Sequence, residues 1–182
     1  MKRTLIRLVV WGAVAIAIGF YLHWNNERLN NGLVPQKITC VNNLKQIGLG
    51  FRIWEGDHSD QYPFNTSTNA GGSLELCAPD KDGFDRNAWL YLKTMTNDDE
   101  LKVPLLLICP RDRSKKPAAN WEELQATNVT YLFRCGTNIT DANPKAVLAI
   151  CPIDGNILYT DGTAVPGNEA SKKEIERQMH IH

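Results

Sequence analysis

Between Cys40 and Pro63 the chain reads CVNNLKQIGLGFRIWEGDHSDQYP. Val41, Leu44, Ile47, Gly48, Phe51 and Trp54 recur at steps of three and four, with Asn42, Lys45, Gln46, Arg52 and Glu55 between them. That is the period of a single helix face. After Trp54 the residues turn polar, and Pro63 cannot continue a helix because it has no backbone N–H to donate. The spacing predicts a helix from about Pro35 to about Asp57, with Gly32 and Pro35 interrupting whatever precedes it. Downstream the sequence offers only short elements. Strands are predicted over 103–109, 129–135, 146–151 and 156–160, with Pro152, Asp154 and Gly155 as a hairpin turn between the last two. Short helical pieces are predicted over 87–95 and 120–126, and a polar helix over 168–182. A small sheet is not stable unless something covers one face. The stripe Val41, Leu44, Ile47, Phe51 and Trp54 is therefore the expected packing surface, and the fold class is α+β with a small antiparallel sheet on a helical stem.

Ahead of the stem, Lys2, Arg3 and Arg7 precede an uncharged run, Leu8 to Trp24. With Leu5 and Ile6 it approaches the ~20 residues that cross a bilayer. Basic residues before the span place the N-terminus in the cytoplasm and the remainder across the membrane. The alternative is a cleaved signal peptide, which requires a small-x-small exit, whereas this run ends in Phe20, Tyr21, His23 and Trp24. The expected organisation is a basic tip, transmembrane anchor and polar stem over 1–31, an α+β head over 32–167, and a polar tail over 168–182. A length of 182 residues suits one such head and no second full domain. Twenty basic residues balance twenty acidic ones, which leaves no positive field for nucleic acid. The five cysteines show no C-x-x-C spacing, so zinc-ribbon, thioredoxin-like and haem-attachment readings are excluded.

Leu5-Ile6 to Ile18, taken with the C-x-N-N-L-K-Q-I-G-L-x-F block at Cys40 to Phe51, resembles the type IV pilin and type II secretion pseudopilin superfamily. Asp57, His58 and Pro63, then Cys109, Pro110 and Asp112, then Asn156, Leu158, Asp161 and Gly162 resemble its bacterial prepilin-type group with an H-x9-D-G ending. The resemblance covers residues 1 to about 165. It implies a pilin-like fold, a long N-terminal helix made of membrane span and amphipathic stem packed on the sheet. It also implies a single-pass inner-membrane protein with a periplasmic head. Its partners would be the lipid bilayer and other pilin-like subunits or secretion-assembly proteins. The chain departs from the family at the processing site, where no Gly precedes Thr4, and at Arg7, which replaces the family's Glu. The family's His is replaced by Cys151. A bundle of helices carrying Lys2, Arg3 and Arg7 gathers like charges, so a homopolymer is not expected.

No Ser-His-Asp set, H-E-x-x-H or glycine-rich phosphate loop is present, so the chain is read as structural rather than enzymatic. Two functions are carried forward: a pseudopilin-like assembly component of a pilus-like or type II secretion filament, and a non-polymerising, membrane-tethered binding module. Asp80, Asp82 and Asp85 around Gly83 resemble the front half of a calcium loop, but the distal Glu is missing; the alternative is a solvated acidic turn. Scattered cysteines in an exported chain suggest disulfides. The resemblance implies Cys40 with Cys109. Cys135 with Cys151 is the next pair because both end candidate neighbouring strands, which leaves Cys77 free. The alternative is that all five are reduced.

Overall fold

A computed structural model describes residues 2–96, 101 and 103–179. The chain divides into two compact units, Met1–Gln36 and Lys37–His182. Helix α1 runs Lys2–Asp57 and continues through Pro35, without the break expected at Gly32 and Pro35. The cost there is the one hydrogen bond that the proline nitrogen cannot donate. After Asp57 the chain reverses through Ser59 and Asp60, both in the left-handed region at φ 58° and 57°.

Within the second unit, Val41, Leu44, Ile47, Phe51 and Trp54 are all buried in one continuous core, as the period of the stripe predicts. Phe51 sits among rings, with centroids 5.6 Å from Tyr62, 6.2 Å from Tyr91 and 6.0 Å from Phe133. These contacts bring together α1, the segment after it, helix α2 (Ala88–Thr94) and strand β1 (Leu132–Phe133). The sheet is a four-stranded antiparallel meander in chain order: β1, β2 (Val147–Ile150), β3 (Ile157–Tyr159) and β4 (Ala164–Val165). Helix α3 (Glu169–Met179) follows; the last three residues of the segment predicted over 168–182 lie outside the described residues. The stem packs very close to the sheet at Gly48. A Cβ there would stand 2.7 Å from Leu158 Cδ1 and 3.0 Å from Gly162 Cα.

Two local predictions fail. The apolar run after Val103 forms a 3-10 turn, Pro104–Leu107, rather than a strand. Pro104 suits the first position of a turn, and Leu106 and Leu107 are buried there without any ladder pairing. Residues 120–125 form bends and a turn rather than a helix, and the 3-10 turn Ala126–Asn128 follows.

The larger correction concerns the N-terminal end. Among the described residues no helix is long and apolar enough to cross a membrane. The long apolar helix of the pilin-like fold class is therefore not found. The transmembrane anchor and the single-pass inner-membrane placement with a periplasmic head fall with it. The side chains of Lys2, Arg3 and Arg7, on which the argument against a homopolymer rested, lie outside the described residues.

Candidate metal centre

Cys40 lies on the buried face of α1, one turn before Leu44. Cys109 follows the 3-10 turn and is fixed through its backbone: its N–H donates to Thr130 Oγ1 (3.2 Å), and that hydroxyl donates to Asp112 Oδ2 (2.8 Å). Cys151 ends β2. Its N–H donates to the Asn156 carbonyl and its own carbonyl accepts from Gly155 N–H, each at 2.8 Å. The turn so closed needs φ of +66° at Gly155, a glycine conformation, and it carries Asp154. Three stretches of chain thus deliver Cys40, Cys109, Cys151 and Asp154 to one point, with the three sulfurs and a carboxylate oxygen all within 4.8 Å of one another.

All three thiols are fully buried, and so is the Asp154 side chain. The two Asp154 oxygens have separate tasks. Oδ1 is paired with the Arg111 guanidinium, and Oδ2 accepts from Cys109 Sγ at 3.4 Å. Tyr131 Oη donates to Cys40 Sγ at 3.7 Å. These neighbours separate the thiols chemically. The hydrogen bond from Cys151, with a smaller one from Tyr131, outweighs burial and lowers Cys40 to about 7. Burial chiefly raises Cys109 to about 12, and donation to Cys40, together with burial, raises Cys151. Of these three, Cys40 is therefore the first to ionise, with Cys151 donating to it and Cys109 donating to Asp154.

All five cysteines are free thiols. Cys40 and Cys109 do meet, with Cys151 as a third partner. The Cys135–Cys151 pair does not form, and the strand register gives the reason. Leu132 faces Ile150 and Phe133 faces Ala149. Extending the antiparallel pairing by the same rule sets Cys151 opposite Tyr131 at one end and Cys135 opposite Val147 at the other. Cys135 instead joins Cys77 and Asp85 in a second group whose ligand atoms lie within 4.8 Å of one another.

That second group revises the calcium reading. Asp85 is drawn to two thiols and does not gather with Asp80 and Asp82. Asp80 Oδ1 accepts the N–H groups of Asp82 and Phe84, both at 2.9 Å, so it closes its own turn. Asp85 Oδ1 accepts from Ala78 (3.0 Å) and Asn87 (2.8 Å), while its buried Oδ2 has no hydrogen-bond partner. The ligand set is sulfur-rich, and thiolates suit zinc-like ions rather than calcium. The described residues thus hold two cysteine and aspartate clusters able to bind a metal. Sequence reasoning had named every sulfur but missed Asp154, whose turn gave it only a structural meaning. No family model, curated protein or solved structure matches the chain.

Proposed function

We propose that the chain serves as a structural and binding module rather than an enzyme, and that its α+β unit is fastened to the stem helix by a zinc-type ion held by Cys40, Cys109, Cys151 and Asp154. The observation that carries this reading is the convergence of three thiols and one carboxylate from three separate segments within 4.8 Å. In a tetrahedral centre with metal–sulfur bonds of about 2.3 Å, neighbouring sulfurs stand about 3.8 Å apart. The cluster needs to contract by no more than about 1 Å to reach that geometry.

The number of ligands argues for a structural role. Four protein ligands fill a tetrahedral zinc centre, whereas catalytic zinc keeps one position for water or substrate. All four groups are buried, so no solvent opening supplies a fifth ligand. Binding replaces three thiol protons by one divalent ion and releases them to solvent. Three thiolates and a carboxylate around a divalent ion leave two negative charges, and Arg111, already paired with Asp154, offsets one. The Tyr131 hydroxyl, which donates to the Cys40 sulfur, helps to stabilise the remainder.

The test is titration of the reduced, chelator-treated full chain with Co2+ and Zn2+. Expected are one tightly bound ion at this centre, the intense near-ultraviolet thiolate-to-cobalt band with tetrahedral visible bands, and displacement by zinc. Cys40→Ser and Cys151→Ser should abolish these signals, and Cys77→Ser, which touches only the second cluster, should leave them. Absence of thiolate-to-cobalt bands, or bands that survive Cys40→Ser in a Cys77→Ser background where the second cluster is broken, would overturn the reading.

A further inference from the structure

Arg134 follows β1 and is only 4% exposed. Its Nε is buried and has no hydrogen-bond partner, and among the described residues no carboxylate pairs with its guanidinium. Burial accordingly lowers its pKa. An uncompensated buried charge of this kind is strongly unfavourable, and buried guanidinium groups are as a rule matched by an acid. The guanidinium packs over Gly83, whose Cβ, if it had one, would lie 3.3 Å from Nε. The residue also lines a cavity of about 220 Å³ together with Asn138, Asn143, Lys145, Arg177 and Gln178.

The charges around this cavity do not balance. Lys145 is paired with Asp161 at 3.0 Å, and Arg177 is paired with Glu174 on the same helix. Three cations against two carboxylates leave one positive charge, and it belongs to the most buried of the three. Gln178 is already committed, accepting from Val147 N–H (2.7 Å) and donating to the Lys145 carbonyl (2.8 Å), so α3 is tied down at the mouth of the cavity.

We infer that this cavity is a binding site for a small oxyanion, a carboxylate or a phosphate-type group, received by Arg134 with Lys145 and the amides of Asn138 and Asn143. A guanidinium offers parallel N–H groups that match two oxygens of a carboxylate or phosphate, and such charge-assisted pairs are about twice as strong as neutral hydrogen bonds. The site shares no residue with the thiol centre and does not depend on it.

The experiment follows the thermal midpoint of the full chain against increasing phosphate, sulfate, acetate and citrate at constant ionic strength, with chloride as the reference. Direct calorimetric titration of the effective anion supplies the affinity. An oxyanion that binds only the folded chain should raise the midpoint along a saturable curve. The order of phosphate and sulfate against acetate and citrate then identifies the group. Arg134→Gln should abolish the saturable rise while leaving the anion-free midpoint equal to or above that of the parent, because it removes an unpaired buried charge. Lys145→Gln, on the exposed rim, should weaken binding by ~10-fold or less and serves as the readout if Arg134→Gln fails to fold. A midpoint that moves no more with any oxyanion than with chloride overturns the site. So does a saturable rise unaltered by Arg134→Gln or, where that variant is not folded, by Lys145→Gln.

Discussion

Replacing Gly48 by alanine tests how closely the stem approaches the sheet. The new Cβ would stand 2.7 Å from Leu158 Cδ1, 3.0 Å from Gly162 Cα and 3.1 Å from Gly162 O. The leucine methyl is the end of a flexible side chain and can swing aside. The Gly162 backbone cannot move so readily, because it forms the turn after β3 with φ of +79°. Two terms oppose each other. Alanine is favoured over glycine inside a helix by about 1 kcal/mol. Overpacking a close contact costs about 1–3 kcal/mol. The net expectation is a loss of about 0–2 kcal/mol, or up to ~8 °C in thermal midpoint at about 2–4 °C per kcal/mol. Gly56 in the same helix supplies the control, since nothing lies within 4 Å of its Cβ position. Gly56→Ala should gain up to about 1 kcal/mol, somewhat less so near the helix end. The difference between the two variants largely cancels the propensity term and leaves the contact itself. Urea unfolding of the full chain under reducing conditions measures both. Equal gains for Gly48→Ala and Gly56→Ala would refute the close approach. Gly48→Val should be worse than Gly48→Ala, because it adds two γ-carbons and a β-branch in the same space.

Glu55 gives a pH dependence. Burial raises it from 4.5 to about 7, the Arg52 guanidinium opposing in part, and both its oxygens lack hydrogen-bond partners although Arg52 lies 2.9 Å away. A raised carboxylate is no burden below 4.5, where folded and unfolded chains both hold the proton, and it costs stability progressively as pH climbs from there to about 7. Glu55→Gln should therefore match the parent at pH 4 and exceed it at pH 8 in denaturant midpoint; the reverse order contradicts the assignment. Tyr62→Phe deletes the 2.6 Å hydrogen bond to the Thr160 carbonyl and should cost about 1–3 kcal/mol by urea unfolding, since that carbonyl is left buried without it. For the thiols, timed alkylation read by peptide mass spectrometry should label Cys77 first, the one cysteine that is not buried. Added zinc should then slow labelling of Cys40, Cys109 and Cys151 together, and independent labelling of these three speaks against a shared ion.

The stem was legible because its signal is periodic and local: one apolar residue every three or four positions needs no partner to be recognised. The β2–β3 hairpin was legible for a similar reason, two apolar runs separated by Pro152, Asp154 and Gly155. The run after Val103 was not, because a short continuous apolar stretch carries no period, and burial can be met by a 3-10 turn as well as by a strand. The thiol centre escaped for a different reason. Excluding C-x-x-C spacing excludes a zinc ribbon but not a centre assembled from residues far apart in the chain. Antiparallel register, invisible before β1 and β2 are paired, decides that Cys151 goes to Cys40 and Cys135 goes to Cys77. Arg134 gave least of all. One basic residue at a strand end reads as exposed, and nothing nearby in sequence says that the carboxylates of this region are already taken.

The ligands of the thiol centre come from the stem, from the turn before Pro110 and from the β2–β3 turn, so long loops of chain must close before the last of them arrives. Closing such loops is slow and costs entropy before any contact compensates for it. An ion held by all four groups of the proposed site requires the helix and the hairpin to be docked. It acts on the other side of the barrier. Bonds formed only after the transition state slow unfolding and leave the folding rate nearly unchanged. In the metal-bound chain, transfer of the ion to a strong external chelator then becomes a clock for the opening of the whole core.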